Sequence, residues 1–122
     1  MIASELISYD IPPLKLSDTG AKALDWMEEF KTSELPVVDE NSYVGLISES
    51  EVLDRNNVDD TIESYNLTFK NPSALENQHL FEIISVIVEN DIDILPVVDQ
   101  NEHYLGLITT KKSFNTFLKL LR

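Results

Sequence analysis

Cysteine is absent from the 122 residues, and glycine occurs only three times. Without cysteine there is no disulfide framework, no thiol nucleophile and no thiolate metal site. Three scattered glycines do not make the clustered phosphate loops of Walker or Rossmann type. Positive charge is also scarce: 9 basic side chains stand against 22 acidic ones, a formal charge of −13. That balance excludes nucleic-acid backbones and anionic membrane surfaces, which need clustered cations. No apolar run approaches the roughly 18 residues of a membrane span. Met1-Ile2-Ala3-Ser4-Glu5 lacks the basic region and apolar run of a secretory signal. The expectation is a cytoplasmic protein with no nucleic-acid or membrane partner. Catalysis finds no nucleophile–base pair and no paired histidines, so the chain reads as a non-enzyme.

What is present is a duplication. Leu35-Pro36-Val37-Val38-Asp39 returns sixty residues later as Leu95-Pro96-Val97-Val98-Asp99. Tyr43-Val44-Gly45-Leu46-Ile47 returns as Tyr104-Leu105-Gly106-Leu107-Ile108, with one extra residue in the second turn. Upstream, Ile11-Pro12 corresponds to Asn71-Pro72. A fixed period implies two similar supersecondary units, neither able to bury its apolar face alone. At 122 residues and 43% hydrophobic, these are halves of a single module over 1–122 rather than independent domains.

The first half spans 4–54. Ile11-Pro12-Pro13 forces extended backbone. Ser17 or Asp18 then caps a helix over 18–31, with Ala23, Leu24, Met27 and Phe30 at helical spacing. A hairpin follows, and Ser48 caps a short closing helix over 48–54 with Glu51 in its first turn. The polar, acidic stretch 55–64 reads as the linker. The second half spans 65–121. Leu67 and Phe69 alternate with polar residues, predicting a strand over 66–70 that leads into it. Asn77 caps a helix over 78–89 that is apolar nearly all round, and so is buried on more than one side, in a domain this small with room for the second side to lie against another subunit. The second hairpin and a helix over 110–121 complete the repeat. Each half thus reads strand–helix–strand–strand–helix, with a mixed three-stranded sheet.

Taken together, the repeated Pro-Val-Val-Asp, the glycine strand ending in Ser or Thr, the upstream proline, the capped helix and the period resemble the CBS domain. The resemblance implies an α/β (α+β) fold: two β-α-β-β-α repeats packed as a pseudo-twofold pair, a Bateman module. Such pairs are regulatory. The family binds AMP, ADP, ATP or S-adenosylmethionine in clefts between its repeats and dimerises through its helices, so a homodimer is expected. The positions that match the family's ligand motif are Ile11, Pro12, Val44, Gly45, Ser48 and Glu51 in one copy. Their counterparts are Asn71, Pro72, Leu105, Gly106, Thr109 and Lys112. No resident cofactor is implied beyond such a regulatory ligand.

The chemistry of those positions is intelligible without the family. A hydroxyl at the end of a strand, beside free backbone N–H groups, suits an anion. A carboxylate one turn further on can accept two adjacent hydroxyls. The family's usual Asp is replaced by Glu51 in one copy and by Lys112 in the other. Glutamate keeps the acceptor with a longer reach, whereas lysine has none and can only attract an anion. The cleft served by Ser48 and Glu51 is therefore the better candidate, and a ligand-free dimerisation scaffold is the rival reading. Each position also has a plainer explanation. Ser48 and Thr109 cap helices, Asp39 and Asp99 serve turns, Pro36 and Pro96 start strands, and Trp26 belongs to a core or interface. His79 and Glu82 lie one turn apart, but no further ligand completes a metal site.

Overall fold

The computed structural model describes residues 1–54 and 57–121, without the side chains of Lys112 and Ser113. Two compact units make it up: Pro13–Asn71, and Met1–Pro12 together with Pro72–Arg122. In the first run β1 (Leu14–Lys15), α1 (Gly20–Phe30), β2 (Glu34–Asp39), β3 (Ser42–Ser48) and α2 (Glu49–Leu53). In the second run β4 (Ala74–Leu75), α3 (Leu80–Asn90), β5 (Ile94–Val98), β6 (Tyr104–Thr109) and α4 (Thr110–Leu120). Each sheet is three-stranded, its central strand parallel to the first and antiparallel to the third. The fold is α+β, and each helix crossover gives the parallel pair while each hairpin gives the antiparallel one. No helix among the described residues is long and apolar enough to cross a membrane.

Pro36 and Pro96 lie inside the central strands, where proline is normally costly. The register explains them: β1 pairs only with Val37 and Val38, and β4 only with Val97 and Val98. Each proline precedes that pairing, so its missing N–H deprives no ladder partner.

Both α1 and α3 begin later than the spacing of apolar residues predicts. Thr19, not Ser17 or Asp18, caps α1 by accepting the Lys22 N–H at 3.2 Å. His79, not Asn77, caps α3, its Nδ1 accepting the Phe81 N–H at 3.2 Å. Asp18 instead accepts the Lys15 N–H at 2.8 Å, and Gln78 does the same for Leu75 at 2.8 Å. Those side chains close the turn between the short strand and the helix rather than the helix itself. Both helices end on a non-glycine residue in the left-handed region, Lys31 (φ 54°) and Asp91 (φ 50°).

The first dozen residues lead into repeat one in sequence but pack with the second unit, and residues 57–71, which lead into repeat two, pack with the first. The two lead-ins make parallel sets of bonds. Ile62 and Glu63 N–H groups donate to the carbonyls of Asp18 and Leu16 at 2.8 and 3.0 Å. Ala3 and Ser4 donate to Gln78 and Glu76 at 2.8 and 2.9 Å. Further on, the Leu46 N–H donates to the Lys70 carbonyl (2.8 Å) and the Ser8 N–H to the Leu107 carbonyl (2.7 Å). Each contact covers the outer edge of a hairpin strand, which would otherwise offer unpaired backbone groups. The strand expected over 66–70 is therefore a single bridge on β3 of the first unit, not the opening strand of the second; that is β4.

The expected linker is not a free tether. Of 55–64 the structure describes 57–64, and there Val58 and Asp60 carbonyls receive the Ala21 and Gly20 N–H groups of α1 at 2.7 and 3.2 Å. Ile62 is fully buried and the neighbouring Tyr65 nearly so. On helix α3, Leu80, Ile83 and Ile87 form the stripe buried within the chain, while Phe81 and Val88 are exposed.

Candidate functional site

Val37 faces Gly45 and Val38 faces Tyr43, so Val44 is an extra residue in β3, a bulge. Leu105 is the same extra residue in β6. A bulge increases local twist and re-aims the strand that follows it. Here it lets the strand accept a chain segment laid across the glycine. A Cβ on Gly45 would stand 2.5 Å from Phe69 Cβ and 2.6 Å from the Lys70 carbonyl oxygen. A Cβ on Gly106 would stand 2.4 Å from Ile7 Cγ2. The glycines are thus required by close approach of the chain itself, each to the lead-in that precedes the other copy's proline.

This grouping sorts the candidate residues. Val44, Gly45, Ser48, Glu51 and Asn71 belong to the Pro13–Asn71 unit. Ile11, Pro12, Pro72, Leu105, Gly106, Thr109 and the backbone of Lys112 belong to the other. Ile11, Pro72, Leu105 and Thr109 are half-buried there, and Pro12 is exposed. The Lys112 side chain, which sequence spacing places at the family's Asp position, lies outside the described residues. Its neighbour Thr110 turns its hydroxyl inward, donating to the carbonyls of Ile92 and Asp93 at 3.1 and 2.8 Å.

In the first unit Ser48 and Glu51 meet directly. Ser48 Oγ accepts the Glu51 N–H at 3.2 Å, and Glu51 Oε1 accepts the Ser48 N–H at 3.0 Å, a reciprocal capping box on α2. Ser48 Oγ also donates to Glu51 Oε1 at 3.0 Å and lies 3.1 Å from Ser50 Oγ. The methylene that distinguishes glutamate from aspartate gives the side chain the length this box needs. Oε1 is engaged three residues back, while Oε2 has no protein partner among the described residues. That oxygen retains two lone pairs for hydroxyl donors.

A cavity of about 340 Å³ opens at this point, lined by Glu34, Leu46, Ser48, Ser50, Glu51, Thr68 and Lys70. Its size reaches the lower range of small-molecule sites, about 300–1,000 Å³. Lys70 is exposed, and its ammonium has no carboxylate within salt-bridge distance among the described residues. Thr68 and Lys70 are the residues that alternate with Leu67 and Phe69, both half-buried. The alternation that predicts a strand also placed Thr68 on the polar side with Lys70, so the signal for Thr68 was present in the sequence. Glu34 had none, because it reaches the cavity only through its register opposite Ser48.

The remaining polar candidates have structural roles. Asp99 Oδ1 accepts the Asn101 and His103 N–H groups at 2.8 and 3.0 Å, and Oδ2 lies 3.1 Å from His103 Nδ1. These bonds, the His103 amide first, hold its carboxyl below the ordinary value of 3.8. Tyr104 is half-buried, and burial raises its phenol above the usual range. Trp26 packs edge-on to Phe30 and under the Lys22 ammonium. His79 is a helix cap, and among the described residues no cluster of three potential ligands could hold a metal ion.

Comparison with known proteins bears on this geometry. The CBS domain family model matches residues 3–56 and 65–112. An inosine-5'-monophosphate dehydrogenase from Methanocaldococcus jannaschii is 28% identical over 110 residues, which is 89% of this chain and 22% of that protein. The chain therefore spans less than a quarter of that relative's length. Among solved structures, a CBS domain pair/ACT domain protein from Thermotoga maritima superposes with a TM-score of 0.90 at 20% identity, covering 100% of both chains. CBSX2 in complex with AMP superposes with a TM-score of 0.81 at 21% identity, covering 99% of this chain and 98% of that one.

Proposed function

This chain belongs to the CBS domain family, and from that premise we propose that it is a regulatory module, not a catalyst, that senses an adenine nucleotide or an S-adenosylmethionine-like ligand. The observation that carries the reading is the cavity of about 340 Å³ at Ser48 and Glu51, walled by Thr68 and Lys70. The free Oε2 of Glu51 accepts the vicinal hydroxyls of a ribose. Lys70, with no acidic partner among the described residues, supplies local positive charge in a chain whose formal charge of −13 repels phosphates at long range. Thr68, Ser48 and Ser50 add hydroxyls. Val44, Gly45 and Asn71 shape the same edge, since Gly45 lies against Phe69 and Lys70. A solved neighbour with AMP bound supports the ligand class. Regulation then requires that the ligand favour one arrangement of the module over another.

A scaffold without ligand is the second reading, favoured by one observation: Ser48 and Glu51 already satisfy each other as a capping box. The module is proposed to work as a homodimer, supported by the exposed apolar side chains Phe81, Val88, Phe114 and Leu118 on α3 and α4.

Thermal unfolding with AMP, ADP, ATP and S-adenosylmethionine separates the two. A ligand at 100 times its dissociation constant adds about 2.7 kcal/mol of stability. Glu51→Ala should abolish the shift, and Lys70→Ala should weaken phosphorylated ligands more than S-adenosylmethionine. No shift with any of the four would leave the scaffold.

A further inference from the structure

The cavity beside Ser48 is uneven in charge across its width. Glu34, half-buried at the start of β2, faces Ser48 in register, so both side chains stand on one face of the sheet. Leu46, two residues before Ser48, shares that face and is bridged on its other side by Lys70. Glu34 and Lys70 therefore flank β3 from opposite sides, two strand spacings or about 10 Å apart. Thr32 fixes the main chain of the glutamate, its Oγ1 donating to the Glu34 carbonyl at 3.0 Å and accepting the Glu34 N–H at 3.4 Å. The first turn of α2 adds little for an anion. Its Glu49 N–H donates to the Ser33 carbonyl at 2.9 Å, and its Glu51 N–H to Ser48 Oγ at 3.2 Å. Among the described residues that line the cavity, Lys70 is the one cation, set against the carboxylates of Glu34 and Glu51.

We infer that this site takes an adenosine ligand with no more than one anionic group, and that Glu34 is the residue that sets this limit. Lys70 pairs with one phosphate or carboxylate. Each further phosphate lies in the field of the Glu34 and Glu51 carboxylates, where like charges at close range oppose binding. Glu51 serves the cap and the ribose, so discrimination by charge falls to Glu34. A half-buried carboxylate is also screened less by salt than an exposed one. AMP and S-adenosylmethionine meet the limit, the second with a sulfonium that Glu34 attracts, and ATP does not. This rests on the adenosine-sensing function proposed above and adds the sense of its charge selectivity.

The test is isothermal titration calorimetry of the full chain with AMP, ADP, ATP and S-adenosylmethionine, without divalent cations. AMP should bind about tenfold more tightly than ATP, with ADP between them. Glu34→Gln should bring that ratio within about threefold, ATP gaining more than AMP, and should weaken S-adenosylmethionine about threefold. Raising sodium chloride from about 50 to about 300 mM should narrow the parent's ratio, which covers a variant that fails to fold. ATP bound as tightly as AMP would overturn the charge limit and leave the sensor standing. A preference for AMP that Glu34→Gln does not change, or that salt widens, would overturn the role of Glu34. If S-adenosylmethionine alone binds, an affinity unchanged in Glu34→Gln would do the same. Binding of none of the four would overturn the sensor itself.

Discussion

Helices α1 and α3 bury the same three positions and fill them with different side chains: Gly20, Ala23 and Met27 in one, Leu80, Ile83 and Ile87 in the other. The contrast follows from what each lead-in brings to the helix N-terminus. Against α1 lies the Tyr65 ring, and a Cβ on Gly20 would stand 2.1 Å from its hydroxyl and 3.0 Å from Val52. Against α3 lies the chain start, where the Met1 carbonyl receives the Leu80 N–H at 3.0 Å. The bulky Tyr65 thus requires a residue without a side chain at Gly20. The duplication has kept the scaffold while its two halves have repacked in complementary ways.

The largest expected effects come from exchanging these solutions. Leu80→Ala should destabilise by about 3–5 kcal/mol, the range for a fully buried leucine. Gly20→Leu should cost about 3 kcal/mol, because Tyr65 must leave its place. Urea unfolding midpoints measure both. A tolerated Gly20→Leu would mean that the Tyr65 packing is unimportant.

The strand glycines come next. Gly45 faces backbone at Lys70, which is bonded to β3 and cannot yield, whereas Gly106 faces the side chain of Ile7. Both sit at positive φ (157° and 155°), where any Cβ is strained, so Gly45→Ala should cost about 3 kcal/mol and Gly106→Ala about 2 kcal/mol. Equal losses would show that both lead-ins are held equally firmly.

Much of this was legible beforehand. The hairpins, the helix periodicity and the Ser48–Glu51 spacing are local patterns, and local patterns survive into the structure. The exchange of lead-ins was not legible. Residues 1–12 and 57–71 could each add to either hairpin edge, since both edges carry the same glycine and bulge. Which edge a segment joins is decided by packing at long range, here by Tyr65 and Ile62 against the first unit. The same blindness hid Glu34, which reaches the candidate site only through its register opposite Ser48, while Ser48 and Glu51, three residues apart, were found. The helix caps moved because Asp18 and Asn77 are good cap residues in isolation, yet Asp18, like Gln78 in the other copy, serves the preceding turn, and Thr19 and His79 take the caps.

The α2 cap and the helix C-termini give smaller differences. Ser48→Ala should cost about 1 kcal/mol by removing the oxygen that accepts the Glu51 N–H. Glu51→Gln keeps a carbonyl oxygen for the Ser48 N–H and should cost less, so a Gln variant that retains stability but loses ligand response would separate cap from site. At the C-termini, Lys31 and Asp91 share the left-handed conformation. Aspartate tolerates it better than lysine. Lys31→Gly should accordingly stabilise by about 1 kcal/mol, and Asp91→Gly by less.

The last contrast lies in the hairpin turns. Asp39 and Asp99 occupy equivalent positions, but the extra residue in the second turn lets Asp99 gather the amides of Asn101 and His103 and the imidazole of His103. No such side-chain bonds hold Asp39 among the described residues. Asp99 is displaced below 3.8 in the folded chain. A carboxyl lowered on folding stabilises while ionised, so its contribution is complete above 3.8 and fades as pH falls through the lower folded value. Asp99→Asn should therefore flatten the acid limb of the stability curve measured by urea unfolding. The effect is small because the carboxyl is open to solvent. An acid limb unchanged in Asp99→Asn would mean that the extra turn residue changes geometry without changing proton affinity.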